Sequence, residues 1–205
     1  DPGARHHLHG YYASILALEH AIDRLLQGLK TRGLDTTTLV VLASDHGELG
    51  GSHGQFKKGM PYEEALRVPL SFRWTGHLQP NIVRSPTSLI DVAPTLAAIG
   101  GSPFRRHQGV NLRETLYTGN VTRHDGVVAL GRVGRPDEWT ALRDERYLYA
   151  EFEGARPRKR WLFDNHVDPF QLNNLIGTPE VRTIERTMAK ELRKRKRKIK
   201  KGNQA

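Results

Sequence analysis

Cysteine is absent from the 205 residues, which excludes disulfide staples and thiolate metal centres and leaves the redox compartment open. Long apolar runs are missing as well. None approaches the roughly 20 residues that span a bilayer, and the opening Asp1-Pro2-Gly3-Ala4-Arg5 lacks the apolar centre of a signal peptide. The chain as given reads as soluble, with its compartment unknown. Hydrophobic residues make up 37%, a little low for a globular protein, yet enough at this length for one large domain or one and a half small ones. Net charge is small outside one segment. Lys190 to Lys201 holds nine Lys or Arg against one Glu, a net of +8 out of the chain's +10, which leaves +2 for everything else.

The segment richest in chemistry runs from Thr38 to Pro69. It opens on Leu39-Val40-Val41-Leu42-Ala43, a β-branched apolar run without polar alternation, which predicts a strand buried on both faces of a parallel sheet. Asp45 and His46 follow where that strand ends, at the carboxyl edge where α/β sheets collect ligands, and Gly47 lets the backbone turn away beneath them. An oxygen and a nitrogen donor so placed suit a divalent cation, although Asp-His after a strand is also a common helix cap followed by a surface histidine. Beyond a glycine-rich loop come His53 and Lys58, two groups able to hold an anion beside that metal. Together they suggest an oxyanion ester as ligand.

The whole ordered pattern, S-D-H-G-E-x-x-G-x-H-G-x-x-x-K-x-x-x-Y-E-E-x-x-R-V-P-L, resembles the sulfatase family of the alkaline-phosphatase-like superfamily. Tyr11 to Ile15 resembles the family's helix before the metal strand, Ser88 to Leu96 its helix after the motif, and Asp168-Pro169 to Asn174-Leu175 its C-terminal signature. The resemblance implies Asp45 and His46 as metal ligands, Lys58 as the sulfate contact, and calcium as the expected ion with magnesium or manganese as alternatives. His53 is left with two roles, a substrate contact that protonates the leaving oxygen or a structural part of the loop. Glu63, Glu64 and Arg67 are expected to order the entry to the next strand. Many sulfatases carry asparagine where His46 stands, and members with histidine include phosphonate and phosphate ester hydrolases, which keeps that alternative open.

The family's nucleophile is a formylglycine made from a C/S-x-P-x-R motif, and no such motif occurs here; Ser102-Pro103-Phe104-Arg105 has the wrong register. Two protein ligands cannot fill the six or more positions that calcium takes. The expectation is therefore the C-terminal part of an alkaline-phosphatase-like fold, a fragment inactive without the missing N-terminal half as its partner. A non-catalytic binding module carried by a basic tail is the alternative from another class.

Elsewhere the pattern is regular. Ile15, Leu18, Ile22, Leu25 and Leu29 recur at helical spacing from Tyr11 until Gly33. The cluster His6, His7, His9 is expected at the surface. Asp91 looks like the N-cap of a short helix ending at Gly100-Gly101. Four short strands, Gly126 to Leu130, Glu138 to Arg143, Arg146 to Phe152 and Trp161 to Phe163, predict a small antiparallel sheet. Asp164 to Pro169 reads as a turn, without the glycine and glutamate of an EF-hand. Val181, Ile184, Met188 and Leu192 predict a last helix whose basic continuation is expected to be a solvated extension, open to weak nucleic-acid or anionic-surface binding. Three parts result: an α/β portion over 1–103, a small β subdomain over 104–178, and a helix with basic tail over 179–205.

Overall fold

The computed structural model describes residues 2–102, 107–120, 126–154 and 157–202. The expected boundary near residue 103 lies outside them, as does most of Ser102-Pro103-Phe104-Arg105. Helix α1 spans Pro2–Thr31, so the histidine cluster extends the predicted helix by about two turns toward the N-terminus. Gly33 stops it in the left-handed region, donating to the Lys30 carbonyl at 3.0 Å. Strand β1 is Val40–Ala43 and β2 is Leu70–Arg73. They pair antiparallel, Val40 opposite Arg73 and Ala43 opposite Leu70.

That pairing corrects the expectation of a parallel strand buried on both faces, since Leu42 and Ala43 are exposed and Val40 and Val41 only half-buried. Burial of the strand in a larger sheet would need further elements beyond the described residues. The same holds for α1. Leu26 and Leu29 line a shallow cavity with Val40, Arg73 and Thr75, while Tyr12, Leu16, Leu18 and Leu25 face solvent.

The second sheet matches the predicted strands closely. β3 (Val127–Gly131), β4 (Trp139–Arg143), β5 (Tyr147–Phe152) and β6 (Arg160–Asp164) form an antiparallel meander in sequence order. Alternation sorts its two faces. Trp139, Ala141, Leu148, Ala150, Phe152, Trp161 and Phe163 form one, packed against Met60, Tyr62 and Leu66 of the motif segment. Leu142, Tyr149 and Leu162 form the other, packed against Met188, Ala189 and Leu192 of α5, which spans Arg182–Gly202. The sheet is thus sandwiched between the candidate site's support and the C-terminal helix.

Two further expectations change. Asp91 is fully buried and does not cap α3 (Val92–Ile99) through its side chain. It closes a capping box with Ser88, whose N–H donates to Asp91 Oδ2 at 2.8 Å, and accepts the Val110 N–H on Oδ1 at 2.7 Å. Thr95, also buried, donates to the Asp91 carbonyl at 2.6 Å and accepts from Leu112 N–H at 2.9 Å. Asp91 is therefore a tie between two segments, with Leu112 leading into the short helix α4 (Arg113–Thr118). The basic run, second, is part of the folded body: Arg195 donates to the Gly126 carbonyl and Lys196 pairs with Glu153. Buried Leu192, about one turn before those two anchors, seats the helix on the sheet.

Candidate active site

At the end of β1 the backbone is turned by a set of short-range bonds. Ser44 Oγ donates to the His46 carbonyl at 2.8 Å, and His46 N–H donates to Asp45 Oδ1 at 2.9 Å. Gly47 N–H then donates to the Ala65 carbonyl at 2.9 Å, the first turn of the loop meeting α2 (Glu63–Leu66). Only glycine fits there. A Cβ on Gly47 would stand 1.9 Å from the Glu64 carbonyl oxygen, far inside contact distance.

His46 Nδ1 lies 2.9 Å from the Gly47 carbonyl oxygen. A carbonyl only accepts, so Nδ1 carries the proton and Nε2 keeps its lone pair. That lone-pair nitrogen stands 3.5 Å from Asp45 Oδ2, on a carboxylate that is 85% exposed. The separation is less than two calcium–oxygen bonds of about 2.3–2.6 Å end to end, so one ion can touch both donors. A carbonyl that fixes the tautomer is also the usual outer support of a metal-bound histidine. The pair fits a divalent cation as part of a shell, and among the described residues no cluster of three or more His, Asp or Glu completes it.

From Glu48 to Lys57 the loop folds back on itself. Leu49, buried, donates its N–H to the Lys57 carbonyl at 2.8 Å, and Gly51 N–H reaches the Gln55 carbonyl at 2.8 Å. Burial pushes the Glu48 carboxyl up, but the N–H groups of Gly50 and Lys57 and the nearby His7 outweigh it and hold the group below the usual glutamate range. His53 and Lys57 both adopt positive φ, 55° and 68°, a conformation that side chains with a Cβ seldom take.

His53 is the best-buried of the proposed site residues. Its side chain is 10% exposed, and its ring stacks on Tyr62 with centroids 3.6 Å apart and planes 7° from parallel. Tyr62 in turn packs on Trp161 at 4.7 Å. His53 Nε2 and Glu64 Oε2 are both buried without a hydrogen-bond partner among the described residues, and Nε2 lies 3.7 Å from Glu64 Oε1.

Lys58 contrasts with it. The residue is exposed, and its ammonium meets no carboxylate among the described residues, so its charge is available to an anion. Its chain neighbour Gly59 is fixed by Trp139 Nε1, which donates to the Gly59 carbonyl at 2.8 Å. Arg132, on the β3–β4 turn, lies against the same glycine: a Cβ there would be 3.4 Å from its Nη1. Arg132 pairs with Asp137.

The segment that follows is clamped to the meander. Arg143 occupies the same face of β4 as Trp139 and Ala141, and its Nε and Nη2 donate to Glu63 Oε1 at 2.8 Å and Oε2 at 3.2 Å. Buried Gln171, with φ 54°, accepts the Glu63 N–H at 2.8 Å and donates to Asn165 Oδ1 at 2.9 Å. Asp168 in turn accepts the N–H groups of Leu172 and Asn173. The expected ordering role of Glu63 is thus seen, whereas Arg143, Trp139, Gln171 and Tyr62 had not been assigned to the site. No local pattern marks Arg143, Trp139 and Gln171, because each meets its partner from far along the chain, whereas Tyr62 stands within the ordered motif itself.

Known proteins match this arrangement. The family model described as Sulfatase matches residues 2–102. A curated relative, an ulvan-active sulfatase from Formosa agariphila, is 30% identical over 203 residues, covering 94% of this chain and 39% of its own. A solved structure in complex with its substrate D-glucosamine-2-N,6-O-disulfate superposes with a TM-score of 0.81 at 24% identity, over 91% of this chain and 40% of that one, a likeness of fold. Another, from work on the metabolism of multiple glycosaminoglycans by Bacteroides thetaiotaomicron, gives a TM-score of 0.76 at 30% identity, over 89% of this chain and 43% of that one. The chain spans about two fifths of the length of these proteins. The family model, the curated relative and the likeness of fold agree, and the chain belongs to the sulfatase family.

Proposed function

We propose that this chain provides the sulfate contact and part of the metal shell of a hydrolase of sulfuric esters, the nucleophile and the remaining ligands coming from the part of the fold that its relatives have in addition. The observation that carries the reading is the pair at the end of β1: His46 Nε2, its lone pair left free by the Nδ1 bond to Gly47, beside the exposed carboxylate of Asp45. A divalent cation held there would stabilise charge on the nucleophile and the ester oxygens. Lys58, exposed and meeting no carboxylate among the described residues, would hold the sulfate.

For His53 we infer a positioning role. Stacked on Tyr62 and facing Glu64, it fixes the loop between the metal ligands and Lys58. Ile15, Leu18 and Leu25, exposed on one face of α1, support an upstream half of the fold as the partner, since an apolar helix face open to solvent marks an interface. Titration calorimetry tests the reading's first part. The 205-residue chain should bind calcium no more tightly than about millimolar, because most oxygen ligands are lacking, and a micromolar site would contradict it. Joined to its upstream half, the chain should turn over aryl sulfates faster than phosphonate esters; the reverse preference would replace the substrate class.

A further inference from the structure

Helix α5 carries two kinds of cation. Lys194 and Arg195 pair with Glu191, Lys196 pairs with Glu153, and Arg195 also donates to the Gly126 carbonyl. Arg182, Arg186, Lys190, Arg193 and Arg197 are exposed, and none of them meets a carboxylate among the described residues. At 3.6 residues per turn these five fall within an arc of about 80° along about 22 Å of helix. Like charges at such spacing repel and weaken the helix that bears them, so the row is unfavourable unless an anion lies over it. Met188, Ala189 and Leu192, all buried, fix the helix to the sheet. The row is therefore a rigid part of the folded body.

We propose that this row anchors a sulfated polysaccharide, on the face of the sheet opposite the candidate active site. The choice of a sulfated polymer rests on the sulfuric ester reading above. Arginine forks suit oxyanions through paired N–H donors, and four of the five residues are arginine. The segment 182–202 contains no Phe, Tyr or Trp, so it lacks the stacking platform on which single-stranded nucleic acids are held. Because the meander separates α5 from Met60, Tyr62 and Leu66, a small ester bound near Lys58 would never touch the row. A long polymer reaches both, and anchoring at one raises its effective concentration at the other.

The test is binding of a heparin oligosaccharide to the 205-residue chain, followed by calorimetry across a salt series, with duplex DNA of matched charge alongside. The variant carries Arg186→Gln, Arg193→Gln and Arg197→Gln, exposed substitutions by a good helix former, with retention of fold checked by circular dichroism. Its affinity for the oligosaccharide should fall at least about tenfold, and its log–log salt slope should drop by about 2–3 as three contacts are lost. Arg24→Gln, which removes an exposed cation of α1, should bind the oligosaccharide as the parent chain does. Unchanged affinity in the triple variant, an equal loss of affinity in Arg24→Gln, or tighter binding of the DNA would each overturn the proposal. Failure of the hydrolase reading would appear in turnover, not in this binding.

Discussion

The bond pair between Arg143 and Glu63 joins the segment bearing Lys58 to the meander, and a double-mutant cycle measures what it contributes. Arg143→Met keeps most of the aliphatic stem but removes the guanidinium, and Glu63→Gln keeps the shape but removes the charge. The side chains are 22% and 14% exposed, so the pair lies between surface ion pairs, at about 0.2–1 kcal/mol, and buried ones, whose disruption costs about 3–5 kcal/mol. Two nearly parallel bonds, at 2.8 and 3.2 Å, place it near the value for charged hydrogen bonds. We expect a coupling energy of about 2 kcal/mol. Urea denaturation of the four proteins reads it, with equal m-values as the condition for comparison. Amide exchange should rise locally over Gly59 to Leu66 in Arg143→Met, where Trp139 and Gln171 remain as the other ties. A coupling of about 0.5 kcal/mol or less would make this a surface pair, and the idea of a clamped site segment would fail.

Other outcomes follow from the same contacts. Asp91→Ala should destabilise the chain by about 3 kcal/mol, because the N–H groups of Ser88 and Val110 lose their acceptors at about 1–3 kcal/mol each; a loss of about 1 kcal/mol, the value of a simple cap, would refute the tie. Asp91→Asn should recover part of it by keeping one acceptor. In an enzyme carrying both halves of the fold, His53→Gln should lower stability by about 1 kcal/mol through the lost stack on Tyr62 and leave turnover within about tenfold. A loss of about 100-fold or more for esters with poor leaving groups, at unchanged stability, would instead make His53 the proton donor.

Much of this architecture was legible from the chain. The four meander strands stood out because apolar alternation and turn residues are local signals, and Asp45, His46 and Lys58 stood out through an ordered motif. Strand direction was not legible: a short apolar run such as Val40 to Ala43 has the same pattern in either orientation, and β2 turned out antiparallel to it. Long-range partners were equally hidden. Asp91 read as a cap because its Val110 contact lies 19 residues on, and the basic run read as solvated because Gly126 and Glu153, which hold Arg195 and Lys196, are far away in sequence. For His53 the sequence leaves a substrate contact and a structural loop role both open, and its positive φ, with the ring stacked on Tyr62, is a tertiary feature that no local pattern carries.

Kinetics of Lys58→Ala with an aryl sulfate, in the enzyme reconstituted from this chain and its upstream half, test the central claim most directly. The loss of one charged contact to a developing oxyanion should remove about 2–4 kcal/mol of transition-state stabilisation, a fall in kcat/KM of roughly 30-fold to 1000-fold. Turnover at the parent rate in a folded Lys58→Ala enzyme would contradict the assignment of the sulfate site to this loop.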